Sequence, residues 1–240
     1  HQINAVIEAI NNTGYGLTFG LQTRLSNRTR DIAQRIMAGN IYVNRNQIGA
    51  VVGSQPFGGH GLSGTGPKAG GPFYLNRFHA VGQQNISHSW DQIMSQTALT
   101  ATMKTAATGL QSPDSFLPGP TGELNARSTF AKPPILCAGP GKKAAETQAR
   151  AVTALGGVAV KATGKIQAEH LTDLTRLRAV IWWGDGLTAR MFDLALAARA
   201  GPIVALITGQ PDSSHVLFEQ HVCIDTTAAG GNAALLRGDS

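Results

Sequence analysis

Apolar residues recur at Ile3, Val6, Ile7 and Ile10, the spacing of one face of an α-helix, and Asn11-Asn12-Thr13-Gly14 then supplies the chemistry that stops one. The pattern predicts a helix over residues 3–11. The period then changes. Tyr15 to Thr23 alternates as a strand, and Ile32, Ile36 and Met37 make the stripe of a second helix that Ser26 or Asn27 can cap and Gly39 ends. Ile41-Tyr42-Val43 is short and apolar enough for a buried strand, and Phe73 to Phe78 reads as another. Periodicity weakens after His79. Trp90 to Leu110 supports one helix with Ile93, Met94, Ala98 and Leu99 facing inward, but residues 111–134 carry five prolines, so a connector is expected there. From Pro134 strands are expected at 135–138, 158–160, 179–183, 203–207 and 222–225, with helices at 142–155, 170–177 and 187–200. Strands and helices alternating at this spacing imply an α/β class with a small parallel sheet covered on both faces.

One stretch escapes both periods. Gly49 to Gly71, GAVVGSQPFGGHGLSGTGPKAGG, is too rich in glycine and proline for any regular element. Dense glycine is expected where backbone takes positive φ or comes close to something else. A flexible linker is the alternative, but Val51, Val52, Phe57, Leu62 and Phe73 are apolar anchors that linkers lack. An ordered functional loop is therefore expected. Gly59 to Gly64 fits G-x-G-x-x-G, yet that fingerprint works only between a strand and a helix. Gln55-Pro56-Phe57 before it and Thr65-Gly66-Pro67 after it supply neither.

Among the 240 residues, Lys plus Arg number 20 against 14 Asp plus Glu, a net charge of +6. The basic residues are scattered, without a run interleaved with aromatics, so no nucleic acid partner is expected of this part. Cys137 and Cys223 sit among apolar residues in expected strands and imply no disulfide framework. No apolar run spans a bilayer and no secretory leader is evident, giving the expectation of a cytoplasmic context. The chain opens inside a helical pattern, as a piece of a larger fold would.

The run VNRNQIGAVVGSQPFGGHGLSGTGPKAGGP resembles the closing segment of an aldehyde dehydrogenase catalytic domain, in which an Asn after a strand and a P-F-G-G-x-x-x-S-G loop lie beside the substrate tunnel. Its G-A-V-V-G-x-Q-P-F-G-G form, continued by TGPKAGGP and YLNRF, is similar to the glutamate-semialdehyde (pyrroline-5-carboxylate) dehydrogenase module of the bifunctional proline utilisation A flavoenzymes. INNTGYGLTFGLQTR resembles the segment after the family's cofactor-ribose glutamate, which is expected upstream of His1. The resemblance starts near Asn4 and covers about eighty residues. It implies three parts: residues 1–80 as the end of an aldehyde dehydrogenase catalytic domain, 81–133 as a linker, and 134–240 as a Rossmann-like C-terminal domain with a tail. It further implies a parent enzyme that oxidises proline with FAD and glutamate semialdehyde with NAD, with the remainder of the same polypeptide as its partner and a homo-oligomer as a compatible assembly.

By that match, backbone N–H groups around Gly49 and Ala50 hold the substrate carboxylate and Phe57 packs on its aliphatic part, while Asn44, Gly58, Gly59, Ser63 and Gly64 organise the loop. Read without the resemblance, Phe57 is equally a core aromatic and Asn44 a structural hydrogen bonder. The segment Thr226 to Ala233 resembles the C-terminal motif that helps close the tunnel in long members of the family; a frayed terminus is the other reading. No catalytic thiolate or carboxylate base is assignable, because Cys137 and Cys223 lack a neighbouring base or helix N-terminus. The chain alone is expected to be inactive. Gly139-Pro140-Gly141 before an expected helix, with Lys142 and Lys143, is placed for a phosphate, but Ala144 stands where a third glycine would and Lys161 where an acidic ribose ligand would. No cofactor is assigned to this chain; a noncatalytic oligomerisation or interaction module and an independent NAD-binding domain over residues 134–240 are the rival readings. His215 and His221 lack a third ligand at metal-like spacing and read as solvated or hydrogen-bonded.

Overall fold

A computed structural model describes residues 2–47, 50–107, 109 and 111–227. These form two compact units: residues to Tyr74 with Ser112–Thr129 and those from Phe218 on, and Leu75–Gln111 with Phe130–Leu217. The units cut across the expected three-part division. Residues 112–129, expected as linker, and residues 218–227, expected in the C-terminal domain, fall with the N-terminal unit.

The first unit begins with helix α1 (Ile3–Asn12), strands β1 (Tyr15–Gly16) and β2 (Thr18–Leu21), helix α2 (Ser26–Arg35) and strand β3 (Asn40–Val43). Ile7, Ile32, Ala33, Ile36, Ala38, Ile41, Val43 and Ile224 form its core. Helix α2 differs from expectation at both ends. Leu25 occupies the N-cap without a side-chain hydrogen bond, and the helix stops at Arg35. The reason for the stop is Asn11, whose Nδ2 donates to Arg35 O at 2.8 Å and whose Oδ1 accepts from Met37 N–H at 2.9 Å. Those groups of the last turn are thereby satisfied by α1 instead of by a further turn.

Strand β4 (His60–Gly61) pairs with β1 inside the glycine segment. Tyr74–Phe78 is a 3-10 helix and not a strand. Among the described residues no strand pairs with YLNRF, and Leu75 and Phe78 stay exposed. The expected helix over 90–110 contracts to α3 (Gln96–Thr105), capped by Ser95; residues 90–92 are irregular, Ile93 makes an isolated bridge with Lys165, and Leu110 lies outside the described residues.

Two strands occupy the expected connector, β5 (Ser115–Leu117) and β6 (Glu123–Ala131). Strand β6 was hidden because Asn125, Ser128 and Thr129 are buried polar residues, which erases the alternation that marks a half-exposed strand. It lies beside β11 (Leu217–Asp225) in a sheet of order β2-β3-β11-β6-β5, in which β2 and β11 both run parallel to β3.

The second unit continues with β7 (Ile135–Cys137), α4 (Gly141–Ala154), β8 (Ala159–Lys161), β9 (Ala179–Ile181), α5 (Gly186–Ala197), β10 (Ala205–Ile207) and the short α6 (Ser213–Val216). The four strands form an all-parallel sheet of order β10-β9-β7-β8. The expected helix over 170–177 is a 3-10 turn at Ala168–Leu171. Alternate strand residues enter different cores. Ile135, Cys137, Ala179, Ile181 and Ile207 pack with Val152 of α4, whereas Leu136, Val160 and Val180 pack with Leu99 and Met103 of α3 and Phe192 and Leu196 of α5. A period of two with both faces covered explains why these strands read as continuous apolar runs.

Candidate functional site: a clamped glycine loop and a closed strand edge

In the first unit the glycine loop is built rather than slack. Phe57 and Ala69 exchange backbone hydrogen bonds of 3.0 and 2.9 Å, closing the loop on itself. Asn40, wholly buried at the start of β3, donates from Nδ2 to Pro56 O at 3.0 Å and accepts at Oδ1 from Gly58 N–H at 3.3 Å. Ser63 Oγ accepts from Gly16 N–H at 3.0 Å. Gly59 is buried where a Cβ would stand 2.8 Å from Gly16 O and 2.9 Å from Leu17 Cα, so only glycine fits. Gly64 closes on the same place, a Cβ there lying 3.0 Å from Gly59 O. Phe57 is half-buried and Ala50 exposed; Gly49 lies outside the described residues. Asn44 takes a left-handed φ of 59° at the end of β3, and its Oδ1 accepts from Thr23 N–H at 2.9 Å, which holds the chain leaving β2. The residue of β3 that grips the loop is Asn40.

A charged network underlies the loop. Lys68, 3% exposed, donates through Nζ to Gly39 O at 2.5 Å, Asn40 Oδ1 at 2.6 Å and Pro56 O at 3.4 Å. Burial pulls its ammonium down to about 7, against the opposing pull of Glu219. Glu219 of β11 pairs with Arg127 of β6 at 2.8 Å. Arg45 pairs with Glu123, which also accepts from Gln55 Nε2 at 3.0 Å. Arg45 reaches Cys223 Sγ at 3.1 Å as well, yet burial still pushes that thiol up to about 11. In β7, burial pushes the Cys137 thiol up to about 12. Both sulfurs are protonated near neutrality.

Sequence reasoning missed this network because its members are scattered between Gly39 and Cys223 and converge only when β11 inserts between β3 and β6. His221 is not solvated: it is fully buried in β11, where the Ser54 backbone faces the ring and favours its charged form, although neither ring nitrogen has a partner of ordinary hydrogen-bond geometry. His215 is hydrogen-bonded, completing a capping box with Asp212. Among the described residues no three His, Cys, Asp or Glu side chains gather as a metal site, and no helix is long and apolar enough to cross a membrane.

In the second unit the carboxyl ends of the parallel strands, where open α/β sheets bind ligands, are covered by the chain itself. Residues 84–94 cross them in sheet order. Gln84 N–H donates to Thr208 O (2.9 Å) after β10, Ile86 N–H to Trp183 O (2.6 Å) after β9, and Trp90 Nε1 to Ala138 O (3.1 Å) after β7; Met94 N–H reaches Lys165 O (3.0 Å) after β8. The turn before α4 is filled too. Gln148 bonds both Gly139 N–H (3.0 Å) and Gly139 O (2.7 Å), and a Cβ on Gly141 would lie 2.9 Å from Ser89 O. Beside this turn a cavity of about 350 Å³ remains, lined among others by Ile86, His88, Trp90, Pro140, Lys165 and Asp185. Lys142, Lys143 and Lys161 are exposed.

Comparison with known proteins defines the class first. Residues 1–83 match the aldehyde dehydrogenase family model, and the fold is an α/β fold consistent with that family. Over nearly its whole length the chain then matches the C-terminal region of the PutA family of bifunctional proteins. It is 36% identical over 276 residues to the bifunctional protein PutA of Rhizobium meliloti, covering 98% of this chain. The chain spans 22% of that relative's length. A 1-pyrroline-5-carboxylate dehydrogenase of Bacillus subtilis (strain 168) is 49% identical over 70 residues, 29% of this chain and 14% of that protein. The proline utilization A structure from Corynebacterium freiburgense shares the fold, with a TM-score of 0.56 at 20% identity over 92% of this chain and 24% of that one.

Proposed function

We propose that this chain is part of a PutA-type enzyme that oxidises proline to pyrroline-5-carboxylate with FAD and then, with NAD and water, oxidises the hydrolysed semialdehyde to glutamate. In this reading NAD accepts the hydride, and the present residues bind and orient the aldehyde. The backbone at Gly49 and Ala50 anchors the substrate carboxylate, Phe57 covers its aliphatic carbons, and Gly58, Gly59, Ser63 and Gly64 hold the loop in shape, with Asn40 gripping it and Asn44 fixing the chain that leaves β2. The clamped loop carries the reading. A segment fixed by Asn40, by the Phe57–Ala69 pairing and by Ser63 has the preorganisation that ligand recognition needs, whereas a linker gains nothing from it.

The closed strand edge of the second unit favours a noncatalytic role for it. A Rossmann-like domain whose strand ends are bonded by its own residues 84–94 serves, in this reading, as a stabilising domain or lid and not as an independent NAD-binding protein, although a cavity of about 350 Å³ remains beside the segment. The thiolate and base of an aldehyde dehydrogenase belong, in this reading, to other residues of the same polypeptide. In the full-length enzyme, Phe57→Ala is expected to raise the semialdehyde KM by roughly 10-fold, the consequence of deleting much of an aromatic contact. Proline oxidation should be unchanged. Equal loss of both activities, or an unaltered KM, would count against the proposed role of the loop.

A further inference from the structure

The position of the Phe57 ring follows from its backbone, and residues 56–58 are gripped from three directions. Asn40 holds Pro56 O and Gly58 N–H, and Ala69 pairs with Phe57 itself. The third grip is Lys68. Its Nζ faces three oxygens, Gly39 O, Asn40 Oδ1 and Pro56 O, and an ammonium carries three N–H donors. Two of these oxygens belong to the entry of β3 and the third to the residue before Phe57. The cation therefore ties the loop to the sheet. Its own backbone N–H points to Glu219 Oε2 at 3.4 Å, so a counter-charge from β11 lies beside it, with Arg127 on the far side of that carboxylate. Burying an ammonium is costly, and an apolar side chain would pack the space at lower cost. Its retention at 3% exposure has a direct geometric consequence, the fixed register of Pro56 on β3.

We propose that Lys68 is a positioning residue of the semialdehyde site: it sets where the Pro56-Phe57-Gly58 backbone sits and so where the Phe57 ring meets the substrate, without touching substrate itself. The inference rests on the substrate role proposed for Phe57. Its test is a double-mutant cycle in the full-length enzyme with Lys68→Met, Phe57→Ala and the pair, each followed by kcat and KM for the semialdehyde. Lys68→Met is expected to raise KM roughly 10-fold, with kcat nearly unchanged, since the Nζ hydrogen bonds to Gly39 O, Asn40 Oδ1 and Pro56 O are lost. The double variant should be no worse than Phe57→Ala alone. An unchanged KM in Lys68→Met, or effects that simply multiply in the pair, overturns the inference, because a residue acting only on stability has no reason to couple to Phe57.

Should Lys68→Met not be recovered folded, Gly58→Ala decides. Its new methyl would press on Lys68 Cα at 3.2 Å and Cγ at 3.3 Å while leaving every donor in place. A smaller rise in KM, absent on the Phe57→Ala background, supports the inference; a wild-type KM overturns it. If Phe57→Ala itself has a wild-type KM, the loop reading fails and the inference fails with it. A response to Phe57→Ala without one to Lys68→Met sinks the Lys68 inference alone.

Discussion

His221 illustrates what a single position contributes in this fold. Its imidazole is fully buried, and burial, with the Lys68 charge adding to it, pulls its pKa from 6.5 down to about 4. Between those values the unfolded chain holds a proton that the folded chain refuses, so stability falls as pH drops through the window. At about 1.4 kcal/mol per unit the loss is roughly 3 kcal/mol. His221→Leu should remove that dependence, read as a urea midpoint that no longer declines between pH 6.5 and 4 relative to the parent. A variant with the parental slope would show that the ring is not buried neutral. The residues that bear on the proposed chemistry divided unevenly in the sequence. Phe57, Gly59 and Ser63 stood out because their motif is local, whereas Asn40, Lys68, Glu123, Arg127 and Glu219 did not, because each is an ordinary polar residue until its distant partners arrive.

Among the elements, the segment 84–94 has the clearest consequence. It forms neither helix nor strand, yet it bonds the chain after all four parallel strands, and Gly164 accepts it at close range. A Cβ at Gly164 would lie 2.7 Å from Met94 N and 2.8 Å from Gln92 O. Gly164→Ala must therefore displace the segment or distort β8's exit, and a loss of about 1–3 kcal/mol is expected in thermal or urea unfolding followed by the fluorescence of Trp90, Trp182 and Trp183. Saturable NAD binding by the unmodified chain in calorimetry would contradict the closed edge. The four parallel strands and helices α4 and α5 of this unit were legible because their apolar runs are bounded by Gly and Pro, whereas the helix expected over 170–177 was not. Strand β6 was not, since its stability comes from pairing and from buried Ser, Thr and Asn whose partners the local pattern does not contain.

For the whole molecule, the proposed function predicts that the isolated chain yields no NADH from pyrroline-5-carboxylate above a buffer blank, as no activated thiolate is present: both cysteines are buried with raised pKa values. It also predicts an effect of the tail. Thr226 N–H donates to Gly122 O at 2.8 Å as β11 ends, so the chain enters the tail from a fixed point, while residues 228–233 of the expected closing motif lie outside the described residues. Deleting residues 226–240 from the full-length enzyme should slow semialdehyde oxidation and lengthen the lag before NADH appears from proline, with the proline step unchanged; an unaltered lag would favour a tail without function. The sequence by itself determined the α/β class, the parallel sheet and the glycine loop, because periodicity, turn residues and close-packed glycines are local properties. Tertiary structure alone decided that β11 enters beside β3, that Lys68 and Glu219 meet beneath the loop, and that residues 84–94 cover the strand ends. Each of those depends on pairing between residues far apart in the chain, where hydrogen-bond geometry and shared burial select the partner and no short window of sequence encodes it.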